Sequence, residues 1–320
     1  MTSSDSASSS KNKIRLAAEA DLEVFINLIH PNRVLGNAHR EVIRWWTRGQ
    51  AKSHQLLLFP RDHQKSALLA YRVAWTITKN PAVRILYISA TANLAIKQLK
   101  FIKDILTSDT YRYYWPEMVN KEESKREKWT ETEISVDHPI RRSEAVRDPT
   151  VFTAGLTTVI TGLHADIACA DDVVIDDNAY STDTRENVQE RIGYLTSILS
   201  TEGQFWAVGT RYHPKDLYND FMEQIVEIFN DDTGEVEDSY QLFEIHERPV
   251  EDRGDGTGHF LWPRQQRTDG KWYGFDKHIL ARKKAGYLDS SKFLAQYYNN
   301  PNDSANSTVK RDYFQYYNKA

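Results

Sequence analysis

Residues Leu56-Leu57-Leu58-Phe59-Pro60-Arg61-Asp62-His63-Gln64-Lys65-Ser66 constrain the fold more than any other stretch of this chain. An apolar run stops at a proline, four polar residues turn the chain, and Lys-Ser opens a helical pattern. Strand, tight loop and helix in that order let a helix N-terminus and one lysine face phosphates. The standard GxxxxGK(S/T) pattern would put glycines at Phe59 and Gln64, so this loop must build its cradle with side chains present. Taken alone, Lys65-Ser66 also reads as an exposed helix start.

The flanking pattern supports the first reading. Helices are expected from Ile14, through Leu22, Phe25, Ile26 and Ile29, and again over His39 to Arg48. A strand over Gln55 to Phe59 leads into the loop, and the helix after Lys65 repeats Leu69, Val73 and Ile77 before Asn80-Pro81 ends it. Val83 to Ser89 reads as a buried strand, and Thr91 caps a helix through Leu99, Ile102 and Leu106. Such alternation predicts an α/β fold, a parallel sheet with helices on its faces. Residues 111–147 read as a charged, aromatic surface excursion with a short strand near Glu133 to Val136. Thr157 to Ile160 and Ile167 to Ala170 are expected as neighbouring strands. A capping box at Asp183 and Glu186 opens a helix through Val188, Ile192, Leu195 and Leu199. Gln204 to Val208 is a further strand, and Pro214 starts a helix through Leu217, Phe221 and Ile225.

The ends differ from this core. Residues 1–13 are serine-rich and poor in apolar residues, which predicts a disordered tail. From residue 230 the composition turns acidic and glycine-rich. Residues 14–229 are therefore read as the P-loop core and 230–320 as a small C-terminal lid or linker region, with a strand at Leu242 to His246 and helices near Lys277 to Lys284 and Ser290 to Tyr298.

Composition excludes several classes. Net charge is −4 over 320 residues, so the chain is no constitutive nucleic-acid coat, although one local surface can still grip DNA. No apolar run approaches the ~20 residues of a membrane span, and no membrane association is expected. A lone cysteine, Cys169, rules out a disulfide framework within the chain and reads as a small buried hydrophobe.

Candidate chemistry gathers at three places. In the loop, Pro60, Arg61, Asp62, His63, Gln64, Lys65 and Ser66 are the expected ATP contacts. Lys65 would meet the β- and γ-phosphates, Ser66 would ligate Mg2+, and Arg61 lies where a guanidinium offsets transition-state charge. The acidic stretch from Asp166 to Asp177 offers two Walker B frames, Asp171-Asp172 after IACA or Asp176-Asp177 after VVI. The first is preferred, because the second follows a strand of only three residues. Asp171 is then the second Mg2+ ligand and Asp172 the group that activates water. A solvated turn is the alternative for an Asp-Asp pair considered alone. Thr210 and Arg211, after the QFWAV strand, are placed to sense the γ-phosphate from beside Walker B, unless Gly209-Thr210-Arg211 is an ordinary turn.

Together these residues resemble the large terminase subunit of tailed bacteriophages. Pro60-Arg61-Asp62-His63-Gln64-Lys65-Ser66 is similar to that family's variant Walker A, P-R-x-x-x-K-(S/T). Thr161 to Val173 looks like its Walker B region, with Asp172 where many members carry Glu. Val208-Gly209-Thr210-Arg211-Tyr212-His213 is similar to its coupling motif, with Val208 in place of the first hydroxyl residue. The resemblance implies an ASCE-type P-loop NTPase that translocates double-stranded DNA into a procapsid. It further implies a homo-oligomeric ring, usually a pentamer, on the portal protein, a small terminase subunit as partner, and the host cytoplasm as location. The family also carries a C-terminal nuclease domain. This chain ends at Ala320, where the family passes into that domain, so no nuclease site is expected here. A trans-acting arginine is implied too, with Arg142 and Arg147 as candidates no better than solvated charges. Trp45 and Trp46 are either an adenine wall or core. A helicase-like translocase and a non-hydrolysing portal-docking subunit with a degenerate loop are the competing readings. A metal nuclease built on Asp166 to Asp177 has no second acidic cluster to work with.

Overall fold

The computed structural model describes residues 3–160 and 162–301. Helices α1 (Ser3–Ala20), α2 (Leu22–Ile29) and α3 (Asn37–Thr47) precede strand β1 (His54–Leu58). Helix α4 (Lys65–Lys79), strand β2 (Ile85–Ser89) and helices α5 (Ala92–Thr107) and α6 (Asp109–Tyr114) follow. Next come β3 (Glu133–Ile134), α7 (Ile140–Ser143), β4 (Val151–Gly155), β5 (Ala165–Asp171), α8 (Asp176–Ala179) and α9 (Thr182–Leu195). The long strand β6 (Leu199–Gly209) and helix α10 (Leu217–Glu223) lead to a hairpin of β7 (Ile225–Phe229) and β8 (Val236–Gln241). Strand β9 (Phe243–Glu247), the short pair β10 (Gln265–Gln266) and β11 (Trp272–Tyr273), and helices α11 (Lys277–Ala285) and α12 (Ser290–Tyr298) complete the described chain.

Seven strands form one sheet in the order β3-β4-β2-β5-β6-β1-β9. Every pairing is parallel except that of β3 with β4. Such a sheet is covered on both faces, which is why its strands read as continuous apolar runs rather than alternating ones. The period of two still shows in where each side chain goes. Leu57 and Phe59 pack with α1 to α6 on one face, while Leu56 and Leu58 pack with α9 and α10 on the other. Each fully buried leucine or isoleucine here contributes about 1.5–3 kcal/mol of transfer free energy. A third, smaller core of Val250, Phe275, Leu280, Phe293 and Tyr297 holds the C-terminal region together.

The structure corrects several sequence expectations. Residues 3–13 lie in α1 rather than in a disordered tail; the C-terminal half of that helix is docked by Ala18, which is buried, and by Arg15, paired with Glu117 at 2.6 Å. Residues 1 and 2 and 302–320, at the two ends of the expected tail and linker, lie outside the described residues. Thr157 to Ile160 form a turn, and the strand is Val151–Gly155 instead, with β2 between it and β5. Ser181, not Asp183, caps α9, its side chain accepting from the Thr184 amide. Asp216, rather than Pro214, caps α10. Leu199 and Ile225 fall on strands, not at helix ends. The strand predicted near Leu242 to His246 is β9, which pairs with β1 as the edge of the main sheet. A boundary at residue 230 therefore cuts through the sheet, because Phe243 is buried in the same core as Phe205 and Phe221.

Candidate nucleotide site

The loop leaves β1 at the C-terminal edge of the sheet. Phe59 still donates its amide to the Gly209 carbonyl (3.3 Å), so the ladder to β6 extends to the loop's first residue. Beyond it, Asp62 and Gln64 adopt left-handed backbone, with φ of 64° and 60°. Glycine is the ordinary supplier of that conformation, and a residue with a Cβ adopts it at a cost of about 1–2 kcal/mol. Gln64 stands at the second missing glycine. Its side-chain amide donates to the Val34 carbonyl at 3.0 Å, which helps to hold the strained residue in place. His63 plugs the loop from below: it is buried, stacks on Phe275 with centroids 4.8 Å apart, and keeps Nδ1 2.9 Å from the Arg61 carbonyl. Burial lowers the His63 ring to about 4 and the neighbouring His39 ring to about 3, so both are neutral near pH 7.

Helix α4 begins at Lys65 with no side chain capping its first turn. Its leading amides are thus open to an anion, with the helix dipole behind them.

The acids approach from across the sheet. Strand β6 separates β1 from β5, and β5 ends on Asp171. The Asp171 carboxylate accepts from Ser66 Oγ at 2.7 Å on one oxygen and from the Tyr87 hydroxyl at 2.9 Å on the other. Asp172 turns off the strand with φ of 46°, its amide donating to the Val208 carbonyl at 3.0 Å. That turn sets its Oδ1 3.3 Å from Lys65 Nζ. Burial, followed by the charge of Asp172, pushes Asp171 up to about 7, while the Ser66 and Tyr87 hydrogen bonds and Lys65 pull it back. Asp176 lies in the first turn of α8 and pairs instead with Lys292 at 2.7 Å. The frame that meets the loop is Asp171-Asp172.

The donor set suits Mg2+ and a nucleotide. Ser66 Oγ and Asp171 are hard oxygen donors side by side, and Mg2+ bound with phosphates takes one or two protein oxygens rather than a full cage. Beside Asp62 and Gln64 opens a cavity of about 710 Å³, walled by Arg33, Tyr71, Trp262 and Trp272. Two of its lining residues, Arg33 and Trp262, bury their Nε and Nε1 atoms without a hydrogen-bond partner.

Other expected residues sit differently. Arg61 turns to the C-terminal region: its amide donates to the Gln296 carbonyl at 3.0 Å and its guanidinium to Gln296 Oε1 at 2.7 Å. Asp62 accepts from Lys283 at 2.8 Å, and Asn299 donates to the Leu58 carbonyl at 3.1 Å. The Thr210 hydroxyl reaches the Phe59 carbonyl at 3.4 Å, linking β6 to the loop rather than standing free. Arg211 is buried and committed to Asp216, 3.0 Å away, and to the His213 and Pro214 carbonyls. In this arrangement it braces its own loop. Gly209 is glycine for a steric reason, since a Cβ would meet the Tyr218 hydroxyl at 2.1 Å.

Arg142 and Arg147 lie away from the loop. Arg147 lines a polar cleft with Arg84 and Asp166, at the N-terminal ends of β2 and β5. Trp45 and Trp46 are core, with Trp46 facing the Arg72 guanidinium at 5.0 Å. Cys169 is buried, and burial pushes its thiol well up.

No family model matches the chain. A curated relative, the large terminase subunit of Enterobacteria phage T3, is 30% identical over 149 residues, covering 43% of this chain and 24% of the relative. The chain's match thus spans about a quarter of that protein. Among solved structures, the large terminase ATPase domain of Thermus phage P74-26 aligns over 86% of this chain and 97% of its own, with a TM-score of 0.50 and 12% identity. The large terminase of bacteriophage HK97 aligns over 86% of this chain and 53% of its own, also with a TM-score of 0.50 and 12% identity. The fold is that of a phage large-terminase ATPase domain.

Within this terminase-type fold, sequence reasoning missed Tyr87 and the C-terminal residues Gln296, Lys283 and Asn299. Tyr87 had a signal: a tyrosine inside a buried strand must find a partner for its hydroxyl. The C-terminal contacts had none, because they join positions more than two hundred residues apart in the chain.

Proposed function

We propose that the chain is the ATP-hydrolysing portion of a phage DNA-packaging motor. The observation that carries this is the meeting of Lys65-Ser66 with Asp171-Asp172, at 3.3 and 2.7 Å, at the open N-terminus of α4. The loop supplies amides, an ammonium and a hydroxyl for a triphosphate, and the strand end supplies two carboxylates of different environment.

In this reading Lys65 neutralises charge on the terminal phosphates, and Ser66 with Asp171 holds Mg2+. Tyr87 keeps one Asp171 oxygen occupied, so that the other faces Ser66. Asp172, half exposed, accepts the proton of the attacking water. Bound MgATP supplies the phosphoanhydride whose cleavage drives movement. The base and ribose would occupy the neighbouring cavity walled by Arg33, Tyr71, Trp262 and Trp272. Thr210 ties the tip of β6 to the loop, and Arg61 joins the loop to α12. The curated relative is named as a terminase large subunit, which supports the large-subunit reading. Double-stranded DNA, a portal, a small terminase subunit and a ring of copies in the host cytoplasm are the setting we propose from the motif resemblance. Among the described residues no helix is long and apolar enough to cross a membrane.

Calorimetric titration of ATP with and without Mg2+, followed by phosphate release with and without duplex DNA, tests the proposal. Mg2+-dependent binding and turnover that rises with DNA are expected. Absence of ATP binding at saturating Mg2+ would end it.

A further inference from the structure

Arg72 lies on α4, about two turns after Lys65, and is buried against the sheet. Gln55 on β1, Trp206 on β6 and Cys169 on β5 stand in one registered row across three strands. The guanidinium lies over that row. Its central carbon is 3.6 Å from the Trp206 ring centroid and 5.0 Å from that of Trp46 on α3. Nη2 donates to Gln55 Oε1 at 2.7 Å. Two donors are then left over: Arg72 Nη1 and Gln55 Nε2 are both buried and have no hydrogen-bond partner.

A counter-charge is missing as well. Burial lowers the guanidinium to about 9, so it is still a cation near pH 7. No carboxylate forms an ion pair with it among the described residues, and Glu244, the next position of the row on β9, is paired with Arg48. Burial pushes the Cys169 thiol well up, which keeps it neutral. The two indole faces offset part of the charge. Buried cations are held by paired charges, and buried donors by acceptors. Water would satisfy the donors and leave the charge. Phosphate or sulfate would bring more oxygens than two donors can meet, each buried at a cost. One atom with one negative charge answers both needs.

We infer that Arg72 Nη1 and Gln55 Nε2 form a buried site for a monovalent, single-atom anion, with chloride as the ordinary occupant. The ion neutralises the guanidinium and ties the nucleotide helix α4 to β1. Gln55 is near the start of β1 and the loop follows the other end of that strand, so the site is separate from the place of the phosphates at Lys65. The inference does not depend on ATP binding.

Thermal unfolding in chloride, balanced by gluconate at constant ionic strength, tests it. An ion held by the folded chain and released on unfolding stabilises with the logarithm of its concentration. Raising chloride from about 1 to about 100 mM should lift the wild-type melting temperature by about 4 °C at this chain length. Gln55→Glu supplies the missing charge from within, so its response should fall below about 1 °C. Arg72→Met, which removes the cation, should lose the response too. Both variants also cancel salt effects that do not pass through the site. Crystals of the wild-type protein grown in bromide should show an anomalous peak in contact with Arg72 Nη1 and Gln55 Nε2. A wild-type response no larger than that of Gln55→Glu, or no bromide peak at that place, would overturn the inference and assign the two donors to water.

Discussion

The two halves of the nucleotide loop are anchored to different parts of the protein. Lys65 and Ser66, at the helix end, meet Asp171 and Asp172 on β5, inside the same sheet. Arg61 and Asp62, three or four residues earlier, are moored to α12 and α11 through Gln296 and Lys283. The first pairing is mostly buried, where electrostatic interactions are strong and geometry is fixed by the strand. The second combines a backbone bond from the Arg61 amide to the buried Gln296 with an exposed, individually weak Asp62–Lys283 pair. One loop thus joins a buried end that meets the acid pair to an end tied to the C-terminal helices.

If that division is right, the largest effect belongs to Lys65. Lys65→Ala should lower phosphate release by about 10²–10³-fold or more, the scale of removing one preorganised charge-stabilising donor. Asp172→Asn should lower turnover by about 10²-fold or more while calorimetry still shows ATP bound, because the step lost is proton acceptance. Next is Tyr87→Phe. It removes one hydrogen bond to Asp171, worth about 1 kcal/mol, and should raise the Mg2+ concentration for half-maximal activity by about fivefold. An unchanged Mg2+ requirement would remove Tyr87 from the site. At the C-terminal contacts, Gln296→Ala or Lys283→Ala should change basal hydrolysis by no more than about threefold, because these side chains are bonded to Arg61 and Asp62 and not to the Lys65, Ser66, Asp171 and Asp172 group. Hydrolysis as impaired as in Lys65→Ala would erase the distinction between the two halves.

The smallest effect is in stability against pH. His39 and His63 are buried neutral, with folded-state values of about 3 and about 4, below the ordinary histidine value. Protonation therefore favours the unfolded chain. The two rings add a fall in stability as the pH drops from about 6.5 towards 4. Asp171 opposes it over the same range, because its raised value of about 7 makes its protonation favour the folded chain. For His63 alone this corresponds to roughly 5 °C of melting temperature between pH 7 and 4.5. His63→Asn should show a shallower fall; an equal fall in both proteins would mean that His63 does not carry it.

The order of strands and helices was legible because apolar periodicity survives burial on both faces. Strands β1, β2, β5 and β6 fall close to where Leu56, Leu86, Ala168 and Trp206 led one to expect them. The strand at Val151–Gly155 was not, since Thr153 and Gly155 dilute its apolar signal and the neighbouring Thr157 to Ile160 imitates it. At the site, Lys65, Ser66 and Asp171 were readable as residue types at the ends of such runs. Arg61 and Arg211 were readable only as charges, and a charge does not announce its partner.

By itself, then, the sequence determined the local conformations: strand, loop and helix around Pro60, and an acid pair closing an apolar run. Those depend on near neighbours in the chain. Only the tertiary structure decided that Asp171 rather than Asp176 faces Ser66, that Arg211 braces its own loop against Asp216, and that Gln296 holds Arg61. Each of those choices depends on which strand ends lie side by side in the sheet and which helix packs over them. Those are distances between residues remote in sequence, and no local pattern encodes them.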